Sequence, residues 1–312
     1  MIKIDNLTRR YGNFTAVDAV SFQIARGEVV GLLGHNGAGK TTIMRMLTGF
    51  LEPTSGSIRV DELQIGPDTA AIQRRIGYLP ENCPAWPEMT VIEFLEYQAL
   101  LHDVPSERRA SAIAAAIRRT ALTDKATQSI QTLSRGYRQR VGVAQAILHS
   151  PDIIILDEPT NGLDPTQILH MRGLIRELAQ SATVIVSTHI LQEVQAICPR
   201  VLILRAGRKL VDARLDELQQ DGRLLVTLDR DEPSARPVLE AIAGVGSVGL
   251  LSADSGRYQY ALQVDEALTP AVSRAIHEAG LPLYGLQRQQ RTLEAVFADV
   301  NADAAGEMRR AA

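Results

Sequence analysis

The sequence predicts an α/β fold followed by a small α+β domain. Three observations lead there. GHNGAGKT, at 34–41, stands between an apolar strand and a helical pattern, the setting of a phosphate-binding loop. IIILD, at 153–157, is a continuous apolar run of the kind buried on both faces of a parallel sheet. After about residue 218 the pattern becomes strand, helix, strand, strand, helix, strand, the order of a ferredoxin-like domain.

The elements follow in order. Short strands are expected at 2–7, 20–24 and 28–33, with a turn at Arg26-Gly27. A helix over 40–47 stops at Gly49. PTSGS, at 53–57, is a turn leading into a strand over 57–60. Thr90 and Glu93 have capping-box spacing, and Met89 with Phe94 suits a hydrophobic staple, so a helix should run over 91–102. An alanine-rich helix over 106–120 completes a helical insertion between two halves of the core. Beyond the apolar strand, Asp164 caps a helix with Pro165 in its first turn. Ile168, Met171, Ile175 and Leu178 share one face of it. A strand at 183–187 follows. The last domain has strands at 224–228, 247–251, 258–264 and 283–286, with helices at 237–243 and 270–279. The resulting domains are 1–218, with its helical part at about 82–150, then 219–300, then a frayed tail at 301–312.

Composition excludes several classes. The chain of 312 residues is 45% hydrophobic and 22% charged, with formal net charge -3. That balance gives no general attraction to nucleic acid or anionic membrane. Cys83 and Cys198 have no metal-ligand spacing and read as free thiols. The first residues lack a secretion signal, and no apolar run is long enough to cross a bilayer. The expected location is cytoplasmic.

The chemistry concentrates in a few motifs. Gly34, His35, Asn36, Gly37, Ala38 and Gly39 form a tight loop whose amides point at phosphate oxygens, and Lys40, Thr41 and Thr42 open the helix behind it. Lys40 neutralises β- and γ-phosphates, and Thr41 holds Mg²⁺. Asp157 ends the apolar strand, where a carboxylate reaches the metal through water. Glu158 is placed to activate a hydrolytic water as general base. LSRGYRQR, at 133–140, opens a further helix with Ser134 and Gly136, a second place where unpaired amides meet an anion.

The loop of Lys40, the helix start at Ser134 and Gly136, ILDEPTNGLD, and His189 after the next strand resemble, in that order, the ATPase subunits of ABC transporters. The resemblance covers 1–218. It implies a P-loop NTPase with a RecA-like core, an antiparallel β subdomain and a helical subdomain. It also implies ATP and Mg²⁺ as cofactors. Tyr11 stands where an aromatic stacks on adenine, with Val17 packing beside it. His189 resembles the switch histidine that contacts the γ-phosphate. Asp164 resembles the residue linking two sites across a dimer, and its role as a plain cap is compatible with that. Ser134 and Gly136 would grip the γ-phosphate of ATP bound to a second copy, although Ser134 alone reads as an N-cap.

Two positions depart from the family. The serine–glycine–glycine core of the signature is Ser134-Arg135-Gly136 here. Glu81, in YLPEN, stands where most members carry a glutamine facing Mg²⁺ and the membrane subunit. A carboxylate there makes Glu81 a third metal-facing residue with Thr41 and Asp157. It is similar to the branch serving gliding-motility machinery and nitrous oxide reductase maturation.

The tail domain, ending in TLEAVF, resembles the extension of exporter-type (ABC-2) members. The implied protein is an ATP-hydrolysing subunit, peripheral on the inner face of the cytoplasmic membrane, driving a separate integral-membrane permease as a homodimer. The loop 81–88, with Trp86 between Pro84 and Pro87, is the candidate docking segment. The competing readings are a soluble ABC ATPase acting on nucleic acid or ribosomes, and a slow regulatory ATPase. A single cassette with no heptad run and no basic tail argues against the first, so no nucleic acid partner is expected. The intact Glu158 and His189 argue against the second.

Overall fold

The computed structural model describes residues 1–83, 85–290 and 293–298. Pro84 of the candidate docking loop and the tail at 301–312 lie outside the described residues. Contacts divide the chain into two units, Met1–Leu215 and a second beginning at Asp216.

The first unit runs through β1 (Ile2–Tyr11), β2 (Phe14–Ile24), β3 (Val29–Leu33), α1 (Lys40–Leu47), β4 (Ser55–Val60), β5 (Leu63–Gln64), α2 (Thr69–Gln73) and β6 (Ile76–Leu79). It continues through α3 (Val91–Leu101), α4 (Ser106–Arg119), α5 (Arg135–Ile147), β7 (Ile153–Asp157), α6 (Pro165–Leu178) and β8 (Thr183–Thr188). It closes with α7 (Leu191–Ile197), β9 (Arg200–Arg205) and β10 (Arg208–Arg214).

Two sheets organise these elements. One is antiparallel, in the order β2-β1-β4-β5. The other has the order β10-β9-β3-β8-β7-β6, parallel except for the edge strand β10. One buried cluster joins both sheets to the inner face of α1 through Ile4, Val20, Ile43, Met46, Ile155 and Ile185. Full burial of one such side chain is worth about 1.5–3 kcal/mol.

The first hairpin is longer than the alternation of its sequence suggests. β1 and β2 slip register between Ile4 and Leu7 and again near Arg9. Asn6, at φ 47°, takes the left-handed turn at the first irregularity, and Ala19, at φ 48°, at the second. These bulges interrupt the in–out alternation along both strands.

The helical part carries its expected cap. Thr90 N donates to Glu93 Oε2 at 2.8 Å, and Glu93 N donates back to Thr90 Oγ1 at 3.3 Å. The sequence pattern does not announce β5, α2, β6, α7, β9 or β10. β9 and β10 have apolar stretches too short to announce themselves, and they become strands by pairing with β3 and with each other.

In the second unit, β11 (Gln220–Leu228), α9 (Glu232–Glu240), β12 (Val245–Asp254), β13 (Arg257–Val264), α10 (Thr269–Glu278) and β14 (Leu283–Gln290) follow α8 (Leu215–Gln219). The antiparallel sheet has the order β12-β13-β11-β14. Its core holds Leu224, Val226, Tyr260, Leu262, Leu239 and Ile276. Helix α9 begins five residues ahead of the expected Pro237. Asp231 and Pro233 start it, and Pro237 is carried inside so that Ala235 and Leu239 are buried.

Candidate functional site

Strands β3, β8 and β7 are parallel neighbours in that order, so their carboxyl ends open on one edge, where α/β sheets gather their ligands. The segment after β3 leads to Lys40. The segment after β7 begins with Glu158, and the segment after β8 begins with His189. Parallel topology thus brings Lys40 together with Glu158 and His189, which lie more than a hundred positions further along the sequence.

The loop before α1 is shaped by close approaches. A Cβ on Gly34 would fall 2.5 Å from Leu204 O. Gly39 has φ 101°, and a Cβ there would fall 2.7 Å from Ala16 O, so only glycine fits. Lys40 Nζ donates to Gly34 O at 2.6 Å and to His35 O at 3.3 Å, and lies 3.6 Å from Glu158 Oε1. Both charged side chains are only 6% exposed, a burial sustained by their opposite charges.

The other oxygen of Glu158, Oε2, lies 2.9 Å from His189 Nδ1. Glu158 itself sits at φ 51°, a left-handed conformation that is uncommon away from glycine. Its N–H donates to Ser187 O at 3.1 Å and to Ser187 Oγ at 3.2 Å. Its carbonyl accepts from Asn161 N at 3.2 Å and from Gln139 Nε2, on α5, at 3.4 Å. Asp157 is fully buried. Its Oδ1 accepts from the Ser187 hydroxyl, and its Oδ2 has no hydrogen-bond partner among the described residues.

A cleft of about 350 Å³ opens at Lys40 and Glu158, while Asp157 and His189 stand outside its lining. Asn36, Gly37, Ala38, Gly39, Lys40, Thr41 and Thr42 line it with Glu81 and Glu158, and Tyr11, Phe14 and Ala16 form its aromatic and aliphatic side. Tyr11 has Arg9 4.6 Å from its ring centroid. The expected place of Val17 changes. It is fully buried in the core, with its Cγ2 3.3 Å from a Cβ built on Gly39, and Ala16 takes the lining position. The register shift between the pairs Arg9–Val17 and Arg10–Thr15 explains the exchange, because it leaves Ala16 as the extra residue of a bulge.

Ser134, Gly136 and Asp164 do not line this cleft. They stand at the starts of α5 and α6. Ser134 occupies the N-cap position without forming a side-chain cap bond, so its hydroxyl is not spent on its own helix. Asp164 does cap α6, accepting from Gln167 N at 2.9 Å. A Cβ on Gly136 would fall 1.9 Å from Gln167 Oε1, and one on Gly162 would fall 2.6 Å from the Arg135 guanidinium carbon. The two helix starts are in contact.

Comparison with known proteins decides the family. The ABC transporter profile matches residues 17–161. The uncharacterized ABC transporter ATP-binding protein YdbJ of Bacillus subtilis is 36% identical over 222 residues, 70% of this chain and 71% of that protein. The chain belongs to the ABC-transporter ATP-binding proteins. Another relative of this ABC ATP-binding chain spans nearly its whole length: the linearmycin resistance ATP-binding protein LnrL of Bacillus subtilis, 29% identical over 95% of this chain and 97% of LnrL. Among solved structures, a dimeric post-hydrolysis state of the ATP-binding cassette MJ0796 bound to ADP and Pi matches with TM-score 0.64 and 25% identity. It covers 69% of this chain and 98% of that one.

Four residues of the ABC site were not singled out from sequence: Phe14, Ala16, Gln139 and Ser187. Only Ser187 carried a signal, as a hydroxyl next to the end of the apolar strand TVIVST, two residues ahead of His189.

Proposed function

We propose that this chain binds ATP in the cleft headed by Lys40 and hydrolyses it as the motor subunit of an exporter. One observation carries the reading: the Glu158 carboxylate is held between Lys40 Nζ at 3.6 Å and His189 Nδ1 at 2.9 Å, beside a glycine-built loop. Lys40 and the loop amides hold the β- and γ-phosphates. Glu158 accepts the proton of the attacking water, and His189 keeps that carboxylate and the water aligned. Tyr11 and Phe14 supply the adenine-facing surface.

The donor set fits Mg²⁺. Asp157 Oδ2 is buried without a hydrogen-bond partner among the described residues, and Thr41 and Glu81 add oxygen donors at the cleft. All are hard oxygens. Among the described residues no group of three His, Cys, Asp or Glu forms a metal cage. Mg²⁺ ordinarily takes one or two carboxylates and completes its shell with phosphates and water. When bound it would neutralise charge on the β- and γ-phosphate oxygens.

Ser134, Gly136 and Asp164 belong, in this reading, to the cleft of a second copy. The unspent Ser134 hydroxyl and the dipole of α5 meet that copy's γ-phosphate. ATP then holds two chains together and hydrolysis releases them.

Among the described residues no helix is long and apolar enough to cross a membrane, so a separate permease must supply the path. Its docking place is the loop 81–88, where Trp86 is half exposed and packs 4.5 Å from the Tyr97 ring centroid. An apolar groove of about 680 Å³ near it is lined by Phe50, Tyr78 and Leu101. Export is supported by the resistance name of LnrL, which spans both units. Attachment at the inner membrane face follows from the permease. Likeness to the gliding-motility and nitrous oxide branch rests on Glu81 alone.

The test is phosphate release by the purified chain with Mg-ATP, alone and with its permease in vesicles. No magnesium-dependent turnover in either setting would falsify the reading.

A further inference from the structure

We infer that Ser187 is a positioning residue that fixes which oxygen of Asp157 is offered to the metal. The inference rests on the ATP-binding reading above. Ser187 lies directly across the parallel pair from Asp157 and is fully buried with it. Its hydroxyl has one proton and donates it to Asp157 Oδ1, while accepting from Glu158 N at 3.2 Å. The incoming N–H fixes the hydroxyl rotor, so the outgoing proton can point only at the carboxylate. Asp157 is therefore held by Oδ1 and presents Oδ2, the atom of the pair left without a hydrogen-bond partner among the described residues. Outer partners of this kind orient metal-facing ligands, and losing one typically costs about 10–100-fold in metal affinity or activity.

The same geometry separates two consequences of losing the hydroxyl. Glu158 N keeps a second acceptor, Ser187 O at 3.1 Å, so the backbone of the general base stays held. Asp157 loses its only donor among the described residues. The defect belongs to the metal side of the site and not to the phosphate loop, where Lys40 and the amides remain.

The experiment compares full-length wild type, Ser187→Ala and Ser187→Thr. ATP affinity is measured by fluorescence titration with excess EDTA and with Mg²⁺, beside turnover and thermal unfolding. Metal-free affinity of Ser187→Ala should match wild type. Its gain in affinity on adding Mg²⁺ should shrink about 10-fold or more, with kcat falling and its Mg²⁺ requirement rising. Ser187→Thr, which keeps the hydroxyl, should restore that gain; if its extra methyl prevents folding, Mg²⁺ titration of Ser187→Ala decides the question alone. A Ser187→Ala protein with an unchanged Mg²⁺ increment overturns the proposal. So does one that loses metal-free and metal-dependent affinity equally, because that is a structural defect. A wild type that binds no ATP under any condition removes the underlying reading instead.

Discussion

His189 Nδ1 lies 2.9 Å from Glu158 Oε2, joining the segment that follows β8 to the one that follows β7. Glu158→Gln keeps the shape of this contact but cannot accept a proton from water. Turnover should fall by about 100-fold or more, the usual worth of a positioned base. ATP binding should survive, and light scattering with Mg-ATP should report a dimer. An undiminished rate of phosphate release removes Glu158 from its role.

Ser134→Arg places a large cation where, in the proposed shared site, the hydroxyl would meet a second copy's phosphate. ATP affinity of the single chain should be unchanged, because Ser134 does not line its own cleft. Turnover should drop by about 100-fold or more, as loss of preorganised phosphate contacts does elsewhere. Phosphate release and nucleotide titration on the same preparation check both halves. Normal turnover would contradict a site shared between copies.

His102 and His149 stack with ring centroids 3.9 Å apart, and burial pushes the His149 imidazole down to about 4. The neighbouring His102 is lowered too, chiefly by burial, with Asp103 opposing. Arg74 is paired with Asp103 at 3.5 Å, and Ile76 O lies 3.2 Å from His149 Nε2. An unfolded chain takes up a proton near pH 6.5 that the folded His149 refuses until about 4. Stability should therefore be full above that upper value and decline through the window as pH falls, by about 1–2 kcal/mol after discounting for contact with water. Urea titrations at several pH values should show the slope, and His149→Phe should lose most of it.

Two glycines should respond with opposite sign to the same substitution. A Cβ on Gly77 in β6 would fall 1.9 Å from Ala146 O, a backbone atom that cannot step aside, so Gly77→Ala should cost about 2 kcal/mol or more. Gly173, exposed within α6, has nothing within 4 Å of its Cβ position. Gly173→Ala should stabilise by about 0.5–1 kcal/mol. Denaturant midpoints distinguish the two.

The parts of the molecule legible in the sequence are those set by local chemistry. The boundaries of α1, the capping box before α3 and the Asp164 cap of α6 follow from neighbouring residues alone. So does the place of Lys40 at a strand–loop–helix junction. What stayed hidden depends on partners distant in sequence. Ala16 replaces Val17 at the cleft because bulges reset the alternation of β1 and β2. Gln139 reaches Glu158 only because α5 passes behind β7. Ser187 meets Asp157 only through the strand order, which no motif spells out. The start of α9 differs for another reason: Asp231 and Pro233 open the helix ahead of Pro237, which the helix carries in its interior.

Gly136 leaves Gln167 no room for a side chain between them, and Arg135 covers Gly162 in the same way. The openings of α5 and α6 therefore meet through the far ends of two flexible side chains, Gln167 and Arg135, so an alanine at Gly136 would push aside a movable side chain and not the backbone of α6.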